Sequence, residues 1–106
     1  MSGKGYVVLT YKFNRVGKRW TAYCEELSTA TFGRSLPEAE KRLHEAVVLH
    51  LNTLEEVGER QRFFKENHIE LHSTKPKRDI MISLPLKQEE LFVHPHVQQI
   101  PALTLS

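Results

Sequence analysis

The sequence predicts a small α+β domain. It comprises a three-stranded antiparallel meander, a long crossover helix and a short helix, a fourth strand parallel to the first in the order 3-2-1-4, and an extended, strand-prone C-terminal tail. Three observations carry this reading. Residues 6–13 and 19–24 are rich in β-branched and aromatic residues on either side of a turn, and they alternate with polar ones from Thr10 onward. Residues 35–58 hold a capped amphipathic period, and prolines at 85, 95 and 101 interrupt the apolar stretch that follows.

The first strand is predicted over residues 6–13, where Tyr11 and Phe13 alternate with Thr10 and Lys12 and so share a buried face. Residues 14–17 supply turn chemistry. Trp20, Ala22 and Cys24 then alternate with Arg19, Thr21 and Tyr23, as the second strand of a hairpin should. The chain turns again at Glu25-Glu26-Leu27-Ser28, and Ala30-Thr31-Phe32 makes a short third strand ended by Gly33.

Ser35 is a good N-cap, with Glu38 three positions on as in a capping box. Pro37 falls in the first turn, where a missing N–H is harmless. Leu36, Ala39, Leu43, Ala46, Val47, Leu51, Leu54 and Val57 trace one helical face, and Gly58 is a stop. Residues 59–66 predict a second helix carrying Phe63 and Phe64, with Asn67 ending it in the left-handed conformation. Ile69-Glu70-Leu71-His72 is the predicted fourth strand, which a right-handed crossover would lay parallel to the first.

Residues 73–78 are a linker by composition. Beyond them, residues 79–85 and 91–93 are candidate short strands, the second broken by His94-Pro95-His96. The tail is apolar at Ile80, Ile82, Leu84, Phe92, Val93 and Val97, so it should be ordered by docking on its own domain or on a neighbouring chain. In the second case a tail strand would pair with an open sheet edge and make a homo-oligomer. In the first it would form a hairpin looped at Lys87-Gln88-Glu89-Glu90.

A chain of 106 residues makes one domain with one modest core. No apolar run reaches the ~18 residues of a membrane helix. The N-terminal residues lack the apolar core of a secretory signal, and Cys24 stands alone, which excludes an intramolecular disulfide; the expected location is the cytoplasm. The small net positive charge hides an asymmetry. Residues 1–34 hold six basic against two acidic residues, and residues 35–72 hold five against eight. The basic strand half could touch nucleic acid and the acidic helical half could meet a basic partner.

No catalytic, cofactor or metal site is expected. A two-metal nuclease of the ribonuclease-H type needs converging carboxylates, yet the predicted first strand contains none, and Glu25 and Glu26 read as solvated turn residues. Cys24 shares the phase of Trp20 and Ala22, which makes it a buried structural thiol. His44 and His50 have poor metal spacing, and His50 reads as a packed or hydrogen-bonded residue. His94 and His96 share one side of an extended chain without further ligands nearby. Tyr11, Phe13, Trp20 and Phe32 could stack bases on an open sheet, but Trp20 reads as core; Tyr23, out of phase, should face away from the helices.

Cys24-Glu25-Glu26-Leu27 and Gly33-Arg34-Ser35-Leu36-Pro37-Glu38-Ala39 follow a hairpin in order, with Leu43, Glu45 and Ala46 further along the helix. In this the chain resembles the HicB-like antitoxin family, which has a partly degraded ribonuclease-H-like fold. Members show a Cys-Pro-Glu-Leu-like turn and a Gly-Asp-Thr-x-Glu-Glu-Ala-like helix start. Here Glu25 replaces the proline, and Arg34 stands where an acidic residue is usual.

The resemblance implies a HicB-like domain over residues 1–73; many members add a C-terminal DNA-binding module, but the tail over 74–106 holds no complete one, since Pro95 and Pro101 intervene. It implies a non-enzymatic antitoxin, or a protein derived from one, that masks a small basic HicA-like mRNA-cleaving toxin. The expected partner surface is Glu55, Glu59, Glu66 and Glu70 with Ile82, Leu84 and Phe92 of the tail. The alternative is a free-standing nucleic-acid-binding protein that uses Arg15, Arg19 and Arg34.

Overall fold

The computed structural model describes residues 4–76, 82–86 and 89–101, with side chains described within 5–76 and 91–100. Its elements are β1 (Lys4–Val16), β2 (Arg19–Cys24), β3 (Thr29–Gly33), α1 (Leu36–Glu56), α2 (Arg60–Glu66), β4 (Ile82–Leu86) and β5 (Glu89–Pro101). The strands form one antiparallel sheet in the order β3-β2-β1-β5-β4. The predicted α+β class and the meander β3-β2-β1 are therefore observed.

β1 is longer than predicted. Residues 14–16 continue the ladder, and the hairpin closes through Gly17-Lys18, with Val16 opposite Arg19. Gly17 takes φ +63, as two-residue hairpin turns require of glycine. Along β1, Val7, Leu9, Tyr11 and Phe13 are at most 1% exposed. Ala22 and Cys24 of β2 extend that row. Against it α1 sets Ala39, Leu43, Val47, Leu51 and Leu54, five of the eight positions predicted for its face. Val57, predicted to share the face, is 62% exposed because the helix ends at Glu56 and Gly58 turns the chain with φ +73.

The start of α1 is tightly set. Ser35 accepts a hydrogen bond from the Glu38 N–H, and Gly33 lies so close to the helix that a Cβ there would sit 2.6 Å from the Ala39 nitrogen. Glycine is needed at this corner for space. After α2, Asn67 has φ −105 and caps through its side-chain amide, which donates to the Phe63 carbonyl. The left-handed residue is His68 (φ 55), one position later than predicted.

The fourth strand is corrected. Residues 69–72 give one antiparallel bridge, between Tyr6 and His72, and no parallel pair occurs among the described residues. β2 ends opposite Tyr11, so the N-terminal half of β1 is open on that side and His72 fills part of it. The other edge of β1 is taken by β5, from Lys4 opposite Pro101 to Arg15 opposite Glu90.

β5 does not break at Pro95. Thr10, its partner, turns its own N–H and C=O toward Glu26 and Glu25 on the β2 side. The Thr10–Pro95 pair is therefore a non-hydrogen-bonded one, and the proline nitrogen faces away from β1. β4 pairs only as far as Val93, so that side of Pro95 has no partner strand among the described residues. The tail thus forms an intramolecular hairpin. Glu89 and Glu90 belong to β5; Ile80, Lys87 and Gln88 lie outside the described residues, as do the side chains of Ile82 and Leu84.

The helices cover only half of the sheet. α1 packs closely on β3 and β2 and reaches β1; toward β5 it extends the His44 ring, which meets His96. Phe92, His94, His96 and Gln98, opposite Phe13, Tyr11, Leu9 and Val7, face the helix side and are only half-buried.

Division of the chain at residue 73 would separate β1 from β5. Removing residues 77–106 is expected to abolish the cooperative thermal transition, because β1 loses a whole ladder and the core loses Ile100 and Phe92. Circular dichroism checks this. A fragment that still melts cooperatively would mean that β5 contributes little to the fold.

Candidate functional site

The predicted partner residues separate into two groups. Glu55, Glu59, Glu66 and Glu70 lie at the end of α1, on α2 and just beyond it, near the Tyr6 end of β1 that His72 joins. Phe92 lies opposite Phe13 and packs on Trp20 with ring centroids 5.7 Å apart. Seven residues of strand separate these ends, about 23 Å. Ile82 and Leu84 oppose Val93 and Leu91 in backbone register, so they belong to the Phe92 end.

Arginines accompany three of the four carboxylates. Glu55 lies 3.6 Å from buried Arg60, Arg62 bridges Glu59 (3.0 Å) and Glu66 (3.7 Å), and Glu70 lies 4.0 Å from His72. Arg62 is well exposed, and such surface pairs contribute little to stability, so an incoming cation can replace it.

The turn after β2 uses its carboxylates for structure. Glu26 accepts from the Thr10 N–H at 2.6 Å and from the Thr10 hydroxyl at 2.8 Å, so it is a ladder substitute and not merely solvated as predicted. Glu25 is exposed and lies 3.5 Å from Lys12. Leu27 is buried. Burial pushes the Cys24 thiol up to about 11, which keeps it protonated and unreactive near neutrality. Among the described residues, no three His, Cys, Asp or Glu side chains are grouped so as to hold a metal ion. No described helix is long and apolar enough to cross a membrane.

A cleft of about 360 Å³ opens where α1 stops short of β5, lined by Tyr11, Pro37, Glu40, Lys41, His44 and His96. The Tyr11 hydroxyl is buried there without a hydrogen-bond partner among the described residues, and burial raises its pKa strongly. His96 stacks on Tyr11 at 4.4 Å, and His44 meets His96 edge-on at 5.5 Å. His96 Nε2 lies 2.8 Å from the Gln98 side-chain oxygen, so Nε2 carries the proton and donates, leaving Nδ1 as an acceptor. The pairing of His44 with His96 crosses from helix to strand, and spacing within either segment does not reveal it. His50 is hydrogen-bonded, 3.2 Å from the Thr29 hydroxyl, as its position predicted.

A second, basic pocket of about 200 Å³ lies at the corner between β3 and α1. Arg19, Phe32, Gly33, Arg34, Glu38 and Arg42 line it. Arg42 pairs with Glu38 at 3.1 Å, and the Arg19 guanidinium lies 5.7 Å from the centre of the Phe32 ring. Of the predicted nucleic-acid contacts, Arg19 and Arg34 converge here. Arg15 does not, because it folds back to donate to the Gly17 carbonyl. Arg42 was missed by sequence reasoning; it lies one turn after Glu38, at the spacing of a helical ion pair.

No family model matches the chain, and neither a curated protein nor a solved structure matches it.

The pKa of His96 is lowered chiefly by burial; nearby His44 and His94 lower it further, while the Gln98 bond and Glu40 oppose. An unfolded imidazole titrates near 6.5, above the folded value. Between the two values the unfolded chain binds more protons. This contribution to stability is therefore complete above that pH and declines as pH falls through it. The thermal midpoint is expected to drop more steeply from about pH 7 to about pH 5 in the native chain than in His96→Gln. Superimposable profiles would remove His96 from the account.

Proposed function

We propose that this chain is a non-enzymatic, HicB-like interaction protein that masks a small basic toxin. One observation carries the reading: carboxylates crowd the exit of α1 and α2, where they do not help the helix. Glu55 and Glu56 lie in the last turn of α1, which has no basic residue, at the negative end of the helix dipole. An incoming basic surface would relieve that repulsion and displace Arg62. Two further features support the family part of the proposal. The residues of the resemblance hold joints of the fold: Leu27 is buried, and Gly33 abuts Ala39. The sheet also ends on β3 and β4, edge strands through which we propose that the protein self-associates.

A small basic protein is expected to be encoded beside this gene, and the test is co-expression of this chain with such a neighbour; the lack of one would count against the proposal. This chain is expected to relieve its growth inhibition and to co-purify with it, with light scattering reporting more than one copy of each. The charge reversal Glu59→Lys with Glu66→Lys is expected to weaken the complex at least tenfold. A neighbour that inhibits growth equally with and without this chain, or a complex indifferent to the reversal, would contradict the proposal.

A further inference from the structure

We propose that the basic corner and the adjoining open sheet face form a binding site for single-stranded nucleic acid, independent of the toxin-masking surface. Three guanidinium groups, from Arg19, Arg34 and Arg42, line one small pocket against a single carboxylate, Glu38. Glu38 engages Arg42 at 3.1 Å, and no ion pair reaches Arg19 or Arg34 among the described residues. Arg34 also directly precedes the N-cap of a 21-residue helix, at the positive end of its dipole. Like charges held together in this way favour an anion, and guanidinium forks match phosphate oxygens.

The second element is aromatic. Arg19, Thr21 and Tyr23 are the exposed residues of β2 and face away from the helices. Phe32 opposes Thr21 across the β2–β3 ladder and so belongs to the same face. Phe32 is 54% exposed and Tyr23 36%, on a face that neither helix covers. Arg19 against the Phe32 ring joins the two elements, since it places a cation beside an exposed π surface. Phosphate-binding groups at the edge of an antiparallel sheet that displays aromatic rings suit unstacked bases, which are available in a single strand and not in a duplex. An acidic peptide would use the arginines but has no need of the two rings.

Fluorescence anisotropy of the full chain with a labelled random-sequence 12-nucleotide RNA tests the site, with polyglutamate as competitor. The chain is expected to bind the RNA and to prefer it to polyglutamate. Phe32→Ala is expected to weaken binding by about 5- to 150-fold, the range for loss of one base stack. Arg34→Ala is expected to lower the salt dependence by about 0.7, one phosphate contact. All these side chains are exposed, and unchanged melting curves establish that the variants fold. Arg62→Ala, at the other end of α1, is expected to leave RNA binding intact. Absence of binding at low salt, binding indifferent to Phe32→Ala, or equal displacement by polyglutamate would overturn the proposal, the last favouring an acidic protein partner.

Discussion

The inward row of β1 is the constraint on which the other elements depend. Val7, Leu9, Tyr11 and Phe13 are shut away from solvent, so a slip of one residue in either ladder would turn all four outward. Full burial of side chains such as Val7, Leu9 and Phe13 stabilises by about 1.5–3 kcal/mol each, which makes the register hard to change. With β1 fixed, β2 and β5 are fixed on its two edges, and α1 must lie where the Gly33–Ala39 approach and the row of Leu43 and Val47 place it.

That placement leaves half the sheet without a helix, and the candidate functional features follow from it. The Tyr11–His96–His44 cleft exists because α1 covers β2 and β3 while β5 carries polar residues on the helix side. On the opposite face of the sheet, where neither described helix packs, Phe32 and Tyr23 are exposed. Charge divides along α1, whose 21 residues separate the basic corner from the acidic exit by about 30 Å. Arg34 beside the N-cap and Glu55 and Glu56 in the last turn all oppose the helix dipole, each at a cost of about 0.3–1 kcal/mol. Charges so placed weaken the isolated fold, and this favours recognition as the reason for them.

Local signals made much of this fold legible. The cap at Ser35, the proline in the first turn and the 3.6-residue period placed α1, and alternation placed β2 to the residue. Non-local pairing was hidden. Pro95 reads as a breaker in sequence, and only its position opposite Thr10 makes it harmless. Residues 69–72 look extended, but whether they form a strand depends on which edge of β1 is free, and β5 had taken the longer one. The candidate sites divide in the same way. Arg19 and Arg34 could be named, with Arg15, from the basic charge of the strand half, but their convergence with Arg42 at one corner depends on tertiary placement. The His44–His96 contact and the counter-charges at Arg60 and Arg62 depend on tertiary placement and on rotamers.

β5 is built into the sheet of its own chain, and the cleft beside α1 depends on it. Hydrogen exchange of the β1 amides tests it most directly. The ladder geometry turns the N–H groups of Val7, Leu9, Tyr11 and Phe13 toward β5 and those of Tyr6 and Thr10 toward the other edge. In a dilute sample the four β5-facing amides are expected to exchange only through global unfolding, at a rate that does not change with protein concentration. Rapid exchange of those four amides beside a protected β1–β2 ladder, or protection that appears only as concentration rises, would contradict it.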